Sequence, residues 1–317
     1  MSKMQALICA PLPDGMLPGL AAEFPEIDFI DTREPAVLDR HVGQATLSFG
    51  LIPVPRLSAA GNLRWMQLAS AGVPQDLCPV AQRMGIKITN LAGLYGPSIA
   101  EHALALMTML ARNLHAALRN QVQRRWDRGV ARTMSDLHGR TVAIIGLGNI
   151  GQAVARLARA YGMRVVGCRR REKLVPLVDR VYPVPELRTM LAEADHVVVA
   201  APLTSHTEGM LGVAEFAAMK RGAFYINVSR GGIAQEKALL DALQSGHVAG
   251  AGLDVFTTEP LPQDHPFWSL PQVVVSPHYS GETVNQSTLP VERFVRNLHA
   301  WLTGREMEGV VDLEWGY

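Results

Sequence analysis

Short apolar runs alternate with amphipathic stretches along almost the whole chain. "ALICA", "ATLSFG", "LRWMQLA" and "IKIT" have the pattern of buried strands near residues 6, 46, 64 and 87, with helix-like pieces such as "GLAAEF" and "PAVLDRHV" between them. From residue 141 the pattern strengthens into "TVAIIG", "RVVGC", "HVVVAA", "AFYINVS", "VAGAGLDVF" and "QVVVSPH", each separated from the next by enough chain for a crossover. Strands that are apolar throughout, with helices between them, predict parallel sheets covered on both faces. Two such series predict an α/β chain of two doubly wound parallel-sheet domains, Rossmann- or flavodoxin-like. The Ala-, Leu- and Met-rich segment from Pro97 to Leu118 predicts a helix crossing from the first domain to the second. Its Met and Leu residues suit a core or a subunit interface. The final helix, near "LPVERFVRNLHAWLTG", is expected to return to the first domain. The predicted division is 1–97 plus 287–317 against 98–286.

Length and composition agree with this picture. The 317 residues are enough for two cores, and 48% apolar with 19% charged residues is a globular balance that argues against disorder. A net charge of +1 gives no global field to draw the chain onto nucleic acid or an anionic membrane. The opening "MSKMQALICAPLPDG" has too short an apolar run for a signal peptide, and no stretch reaches the roughly 18 to 20 apolar residues of a membrane helix. Cys9, Cys78 and Cys168 are widely spaced and in no metal pattern, so reduced thiols and a cytoplasmic location are expected.

The sharpest local signal is "GLGNIG". It places Gly146, Gly148 and Gly151 directly after an apolar strand and at the start of the helix "NIGQAVARLARAYG". The first glycine permits the tight turn and the second lets the backbone approach a pyrophosphate. The third lets helix and strand pack closely, while the helix amino end offers free amides to the anion. Residues 98–286 are therefore expected to bind a dinucleotide. A ribose-binding acid belongs about 20 positions further on, and counting from Gly148 reaches Cys168, followed by Arg169, Arg170 and Arg171. Cysteine cannot take the two ribose hydrogen bonds of a carboxylate, and an aspartate would repel a 2′-phosphate. The arginines offer forked donors to that phosphate. NADP(H) is expected to be preferred, with NAD(H) possible; the bland alternative is a solvated arginine cluster.

Three later fragments put polar groups at strand ends: "INVSRGG" with Arg230, "GLDVFTTEP" with Asp254 and Glu259, and "VVVSPHYSG" with His278. Open α/β sheets bind ligands at the carboxyl ends of their strands. A carboxylate beside a histidine fixes the imidazole as an acid working near neutral pH requires, and an arginine can hold a carboxylate by two parallel bonds. Taken singly, each could instead be structural.

The order and spacing of "GLGNIGQAVARLARAYGM", "APLTSHTEGML", "NVSRGGI", "GLDVFTTEPLP" and "HPFWSLPQVVVSPH" carry a resemblance over nearly the whole chain. The sequence resembles the D-isomer-specific 2-hydroxyacid dehydrogenases, in particular the short glyoxylate/hydroxypyruvate-reductase-like members. The resemblance implies an active site in the cleft between the two domains, that residues 1–97 plus 287–317 bind substrate, and that Arg230, Glu259 and His278 are catalytic. Arg230 would bind the keto-acid carboxylate and carbonyl, His278 would donate the proton, and Glu259 would hydrogen-bond His278. It implies cofactor contacts from Leu147, Gly148, Asn149 and Ile150 at the pyrophosphate, from Asp254 at the nicotinamide carboxamide, and from Pro202, Val228 and Ser280 near the nicotinamide end. "ASAGVP" matches the substrate loop, with the amides near Ala71 and Gly72 facing the carboxylate. Leu94 and Tyr95 would lie at the site rim, where their bulk could select the substrate side chain; filling the domain hinge is the other reading. A homodimer through the 97–118 helix is implied. Trp126 is expected to pack at an interface, and His102, His115 and His196 to be structural. Tyr279 and Ser280 stand where many members carry small or apolar residues.

Rival readings share the scaffold. Formate dehydrogenases pair their histidine with glutamine, which Glu259 argues against. Phosphite and phosphoglycerate dehydrogenases can carry similar groups, and a nucleotide-sensing corepressor would use the fold as a binding module. Oxidation of NADPH by 2-oxo acids separates the enzyme from the sensor.

Overall fold

The computed structural model describes residues 3–74, 76–170 and 174–316. They form two compact units, Met1–Leu94 with Thr283–Tyr317, and Tyr95–Glu282. The junctions fall at 94/95 and 282/283, a few residues before the positions expected from sequence.

The first unit holds five parallel strands: β1 (Met4–Ile8), β2 (Ile27–Asp31), β3 (Leu47–Phe49), β4 (Trp65–Gln67) and β5 (Lys87–Thr89), in the order β2-β1-β3-β4-β5. The second holds seven: β6 (Thr141–Ile145), β7 (Arg164–Cys168), β8 (Arg180–Tyr182), β9 (His196–Val199), β10 (Ala223–Asn227), β11 (Val248–Leu253) and β12 (Val273–Val275), in the order β12-β11-β10-β9-β6-β7-β8. Every strand pair in both sheets is parallel. These are the flavodoxin-like and Rossmann orders, each with a point where the chain reverses its direction of winding. The central strand β6 is buried along its full length and β9 likewise, which is why TVAII and HVVV show no apolar–polar alternation.

Two strands escaped the sequence pattern, β2 and β8. Both are sheet edges, and their sequences IDFID and RVY mix polar with apolar positions because neighbours cover them incompletely. The segment expected as one helix from Pro97 to Leu118 is two, Gly96–Ala111 and Leu114–Val122. Asn113 breaks it with a left-handed backbone at φ 51°, while its amide donates to the Val130 carbonyl and to Thr133. Nine residues of the first helix are buried, but Leu114, Leu118 and Val122 of the second are 47%, 51% and 86% exposed.

The closing helix, Leu289–Leu302, belongs to the first unit. Phe294 packs between Phe49 and Trp65, with ring centres 4.9 and 5.6 Å away, and Asn297 donates to the buried Gln67. Among the described residues no helix is long and apolar enough to cross a membrane. Trp126, expected to pack, is 94% exposed in the single chain. His196 is buried and stacked on Phe224, and burial pushes its pKa down to about 4, so it sits in the fold uncharged.

Candidate active site

The glycine turn leaves β6 as expected, and each glycine has a distinct reason. Gly146 has φ 95°, and a Cβ there would lie 2.6 Å from the Ala201 nitrogen. At Gly151 a Cβ would lie 1.9 Å from the Gly146 carbonyl oxygen, so helix and turn touch backbone to backbone. Gly148 is exposed, with nothing within 4 Å of a Cβ position, which leaves that side of the turn open to a ligand. The helix Asn149–Ala160 starts there with no side chain capping its amino end and no acid in its first turn. Such an end is an anion site in waiting. Leu147 is buried beneath the turn against Gly167, so only its backbone can meet a ligand. Asn149 is exposed and Ile150 half-buried at the mouth of the helix.

At the end of β7 lies Cys168, the position that the count from Gly148 reaches. It is 2% exposed within the apolar core, where burial raises its thiol pKa to about 11, and its carbonyl accepts from the Gly146 amide. Arg169 follows, half-buried, and Arg170 is exposed. Arg171 lies outside the described residues. The turn, the uncapped helix and the arginines at the next strand end together fit a phosphorylated dinucleotide.

His278 is held at two levels. Its backbone is left-handed, with φ 53°, a conformation that costs roughly 1–3 kcal/mol and persists only where the surroundings enforce it. Its Nδ1 lies 2.6 Å from Glu259 Oε2. A carboxylate accepts only, so Nδ1 carries the proton and donates, leaving Nε2 as the atom able to exchange one. Glu259 is itself aimed, because its Oε1 accepts from the Phe256 amide.

Asp254, expected at the nicotinamide carboxamide, follows β11 and is fully buried. Its Oδ1 accepts from the Ser276 hydroxyl at 2.6 Å and from the Tyr279 amide, and its Oδ2 from the Ser280 amide. The carboxylate braces the backbone on the far side of His278. Ser280 is buried with it, Val228 is 3% exposed, and Pro202 is exposed with its carbonyl accepting from Thr207.

Arg230 is exposed just past β10, and its guanidinium donates to the Ser229 carbonyl. The buried Asn227 donates to the Arg230 carbonyl and accepts from the Ser229 amide, fixing the turn. Gly231 brings this turn to the histidine's partner: a Cβ there would lie 2.0 Å from the Phe256 carbonyl carbon. The Arg230 and Glu259 segments are thus in backbone contact. Asn227, Gly231 and Ser276 were not singled out from sequence, although the first two lie inside "INVSRGG"; a polar residue closing an apolar strand was the available signal.

The family model described as "D-isomer specific 2-hydroxyacid dehydrogenase, NAD binding domain" matches residues 104–280. The chain belongs to the D-isomer specific 2-hydroxyacid dehydrogenases. It is 36% identical over 81% of its length to a glyoxylate reductase of Korarchaeum cryptofilum (strain OPF8), of which the match covers 78%. Among solved structures, a family member from Aeromonas salmonicida subsp. salmonicida A449 aligns at TM-score 0.82 with 31% identity, over 98% of this chain and 100% of that one. An NADPH-dependent glyoxylate/hydroxypyruvate reductase from Sinorhizobium meliloti, in complex with NADP and sulfate, aligns at 0.85 with 26% identity, over 99% and 100%. The protein is thus an NAD(P)-dependent oxidoreductase, a 2-hydroxyacid dehydrogenase.

In the first unit, the loop after β4 carries Ala71 and Gly72. Asn90 holds the Ala71 carbonyl and Ser70 holds that of Gly72, while neither residue's amide donates to any described residue. Leu94 is half-buried at the end of that unit's first segment. Tyr95 opens the second unit and is 9% exposed, with its Cβ against Gly281.

Replacing Gly231 with alanine is expected to part the Arg230 turn from the Phe256–Glu259 segment. A shift of about 1 Å costs on the order of 10²-fold. Steady-state kinetics should show kcat/KM falling by about that factor while circular dichroism shows the fold kept; wild-type turnover in Gly231→Ala refutes the contact's importance.

Proposed function

We propose that this dehydrogenase is an NADPH-preferring reductase of small 2-oxo acids of the glyoxylate and hydroxypyruvate kind, with Arg230, Glu259 and His278 as its catalytic groups. The observation that carries the reading is the 2.6 Å pair between His278 and Glu259, which leaves Nε2 ready to give up a proton. The amides of Leu147 to Ile150 would hold the pyrophosphate and Arg169 and Arg170 the 2′-phosphate. When bound, the reduced nicotinamide supplies a hydride for the carbonyl carbon. The residues of the chain do the rest. Arg230 pairs with the substrate carboxylate and faces the carbonyl oxygen. His278 delivers its Nε2 proton as charge gathers on that oxygen, and Glu259 holds the ring in line throughout. The glyoxylate reductase likeness and the NADP-bound relative support this choice of substrate and cofactor.

The exposed row of Leu114, Leu118 and Val122, followed by Trp126, supports a homodimer formed through the second of the two helices. Such a row at helical spacing is a face that a second copy would cover.

Three measurements test the proposal. Positioned proton transfer is worth about 10²–10⁴-fold, so His278→Ala should lower kcat for glyoxylate reduction by at least about 10² while NADPH still binds; unchanged turnover sinks the assignment. Arg169→Ala should raise KM for NADPH far more than KM for NADH, and equal effects would remove the 2′-phosphate role. In sedimentation, Leu118→Glu should run at the mass of one chain where the wild type runs at two; a wild-type monomer refutes the dimer.

A further inference from the structure

The second unit has a cavity at the end of its sheet remote from all the groups above. It has a volume of about 170 Å³ and is lined at its rim by Ser135, Arg140, Asp195, Lys220 and Arg221. Arg140 immediately precedes β6, Asp195 precedes β9, and Gly222 precedes the first residue of β10. The cavity therefore opens at the amino ends of three adjacent strands, whereas the glycine turn, Arg230 and His278 follow the carboxyl ends of theirs. Five residues of strand at about 3.3 Å each put the two ends roughly 16 Å apart.

Its charge is unbalanced. Arg140, Lys220 and Arg221 face one acid, Asp195. Lys220 lies 3.1 Å from Asp195 Oδ1 and Arg140 3.9 Å, while Oδ2 accepts from the Thr141 amide. Arg221 has no carboxylate within ion-pair distance among the described residues, and Asp136, beside Ser135 in the chain, is turned to Arg112. The Ser135 hydroxyl makes no hydrogen bond to the described residues. His196 also borders the space, but burial keeps it neutral. Gly222 also lines the space, with a left-handed backbone at φ 86°.

A solvated ion-pair network would explain Asp195, Lys220 and Arg140. It does not explain a third cation, with no carboxylate of its own, facing a cavity with room for several waters at about 30 Å³ each. Two arginines, a lysine and a serine lining one space carry the kinds of donor a tetrahedral oxyanion takes.

We propose that this cavity binds a phosphate group, free or carried on a short carbon chain, at a site separate from the dinucleotide and substrate. Arg221 and Arg140 would grip the oxygens from two sides, with Lys220 and Ser135 completing the set. The proposal is independent of the catalytic reading.

The test is thermal unfolding of the full chain with inorganic phosphate or glycerol 3-phosphate, against sodium chloride at matched ionic strength. At about ten times Kd, a bound ligand should raise Tm by roughly 2–4 °C. The rise is expected in the wild type and in Arg169→Ala, and should need at least about tenfold more phosphate in Arg221→Gln. Arg221→Gln should keep wild-type glyoxylate reduction without phosphate, because Arg221 touches none of the catalytic groups. A lower Kd for glycerol 3-phosphate identifies an ester as the ligand, and a lower Kd for inorganic phosphate identifies the free ion. No rise beyond chloride, an equal rise in Arg221→Gln, or loss of the rise in Arg169→Ala overturns the proposal, the last by placing the anion beside the arginines after β7.

Discussion

The site depends on a fully buried carboxylate that has no lysine or arginine in ion-pair contact among the described residues. Asp254 carries its charge at the end of β11 on hydrogen bonds from the Ser276 hydroxyl and the amides of Tyr279 and Ser280. His102 lies 3.7 Å away, and burial, outweighing the pull of Asp254, lowers its pKa, which favours the neutral ring. Ser276 gives its proton to Asp254, so the 2.8 Å contact from His102 Nε2 to Ser276 makes the imidazole the donor. A buried charge is tolerable only when its lone pairs are filled in this way. Two of these donors are the backbone amides directly after His278, and the third is the Ser276 side chain two residues before it. The cost of leaving Asp254 unsatisfied therefore holds His278 in a left-handed conformation it would otherwise avoid.

A second constraint is the absence of side chains where backbones meet. Gly151 lies against Gly146, and Gly231 against Phe256. Each contact joins a loop that follows one strand to a neighbouring segment: the helix after β6 to its own turn, and the turn after β10 to the loop after β11. The functional groups are carried on these loops, while the sheet beneath them is rigid and apolar. Arginine, histidine and glutamate gain their relative positions from glycine and asparagine, which have no chemistry of their own to contribute.

The two ends of the seven-stranded sheet differ in electrostatic design. At the carboxyl ends, cationic and hydrogen-bonding groups are exposed around an uncapped helix amino end, an arrangement suited to anionic cofactor and substrate. At the amino ends, an excess of cations surrounds a cavity with only Asp195 to balance it. A chain with a net charge of +1 achieves both by local clustering rather than by a global field.

Much of this was legible in the sequence because local rules determine it. Uninterrupted apolar runs between helical stretches specified parallel sheets, and "GLGNIG" after a strand specified the turn, since only glycine permits those approaches. Edge strands β2 and β8 were not legible, because a strand with one neighbour need not be apolar throughout. Neither was the break at Asn113, which depends on Val130 and Thr133, 17 and 20 residues away. The motifs named Arg230, Glu259 and His278, but their spacing could not bring the Arg230 turn against Phe256 or bury Asp254. Residue type determined what each group can do. Only the tertiary structure decided that Cys168 and Tyr95 are packed away, that Asp254 braces a backbone, and that Arg140, Lys220 and Arg221 share a cavity, because contacts between distant strand ends follow from sheet order, which no local pattern contains.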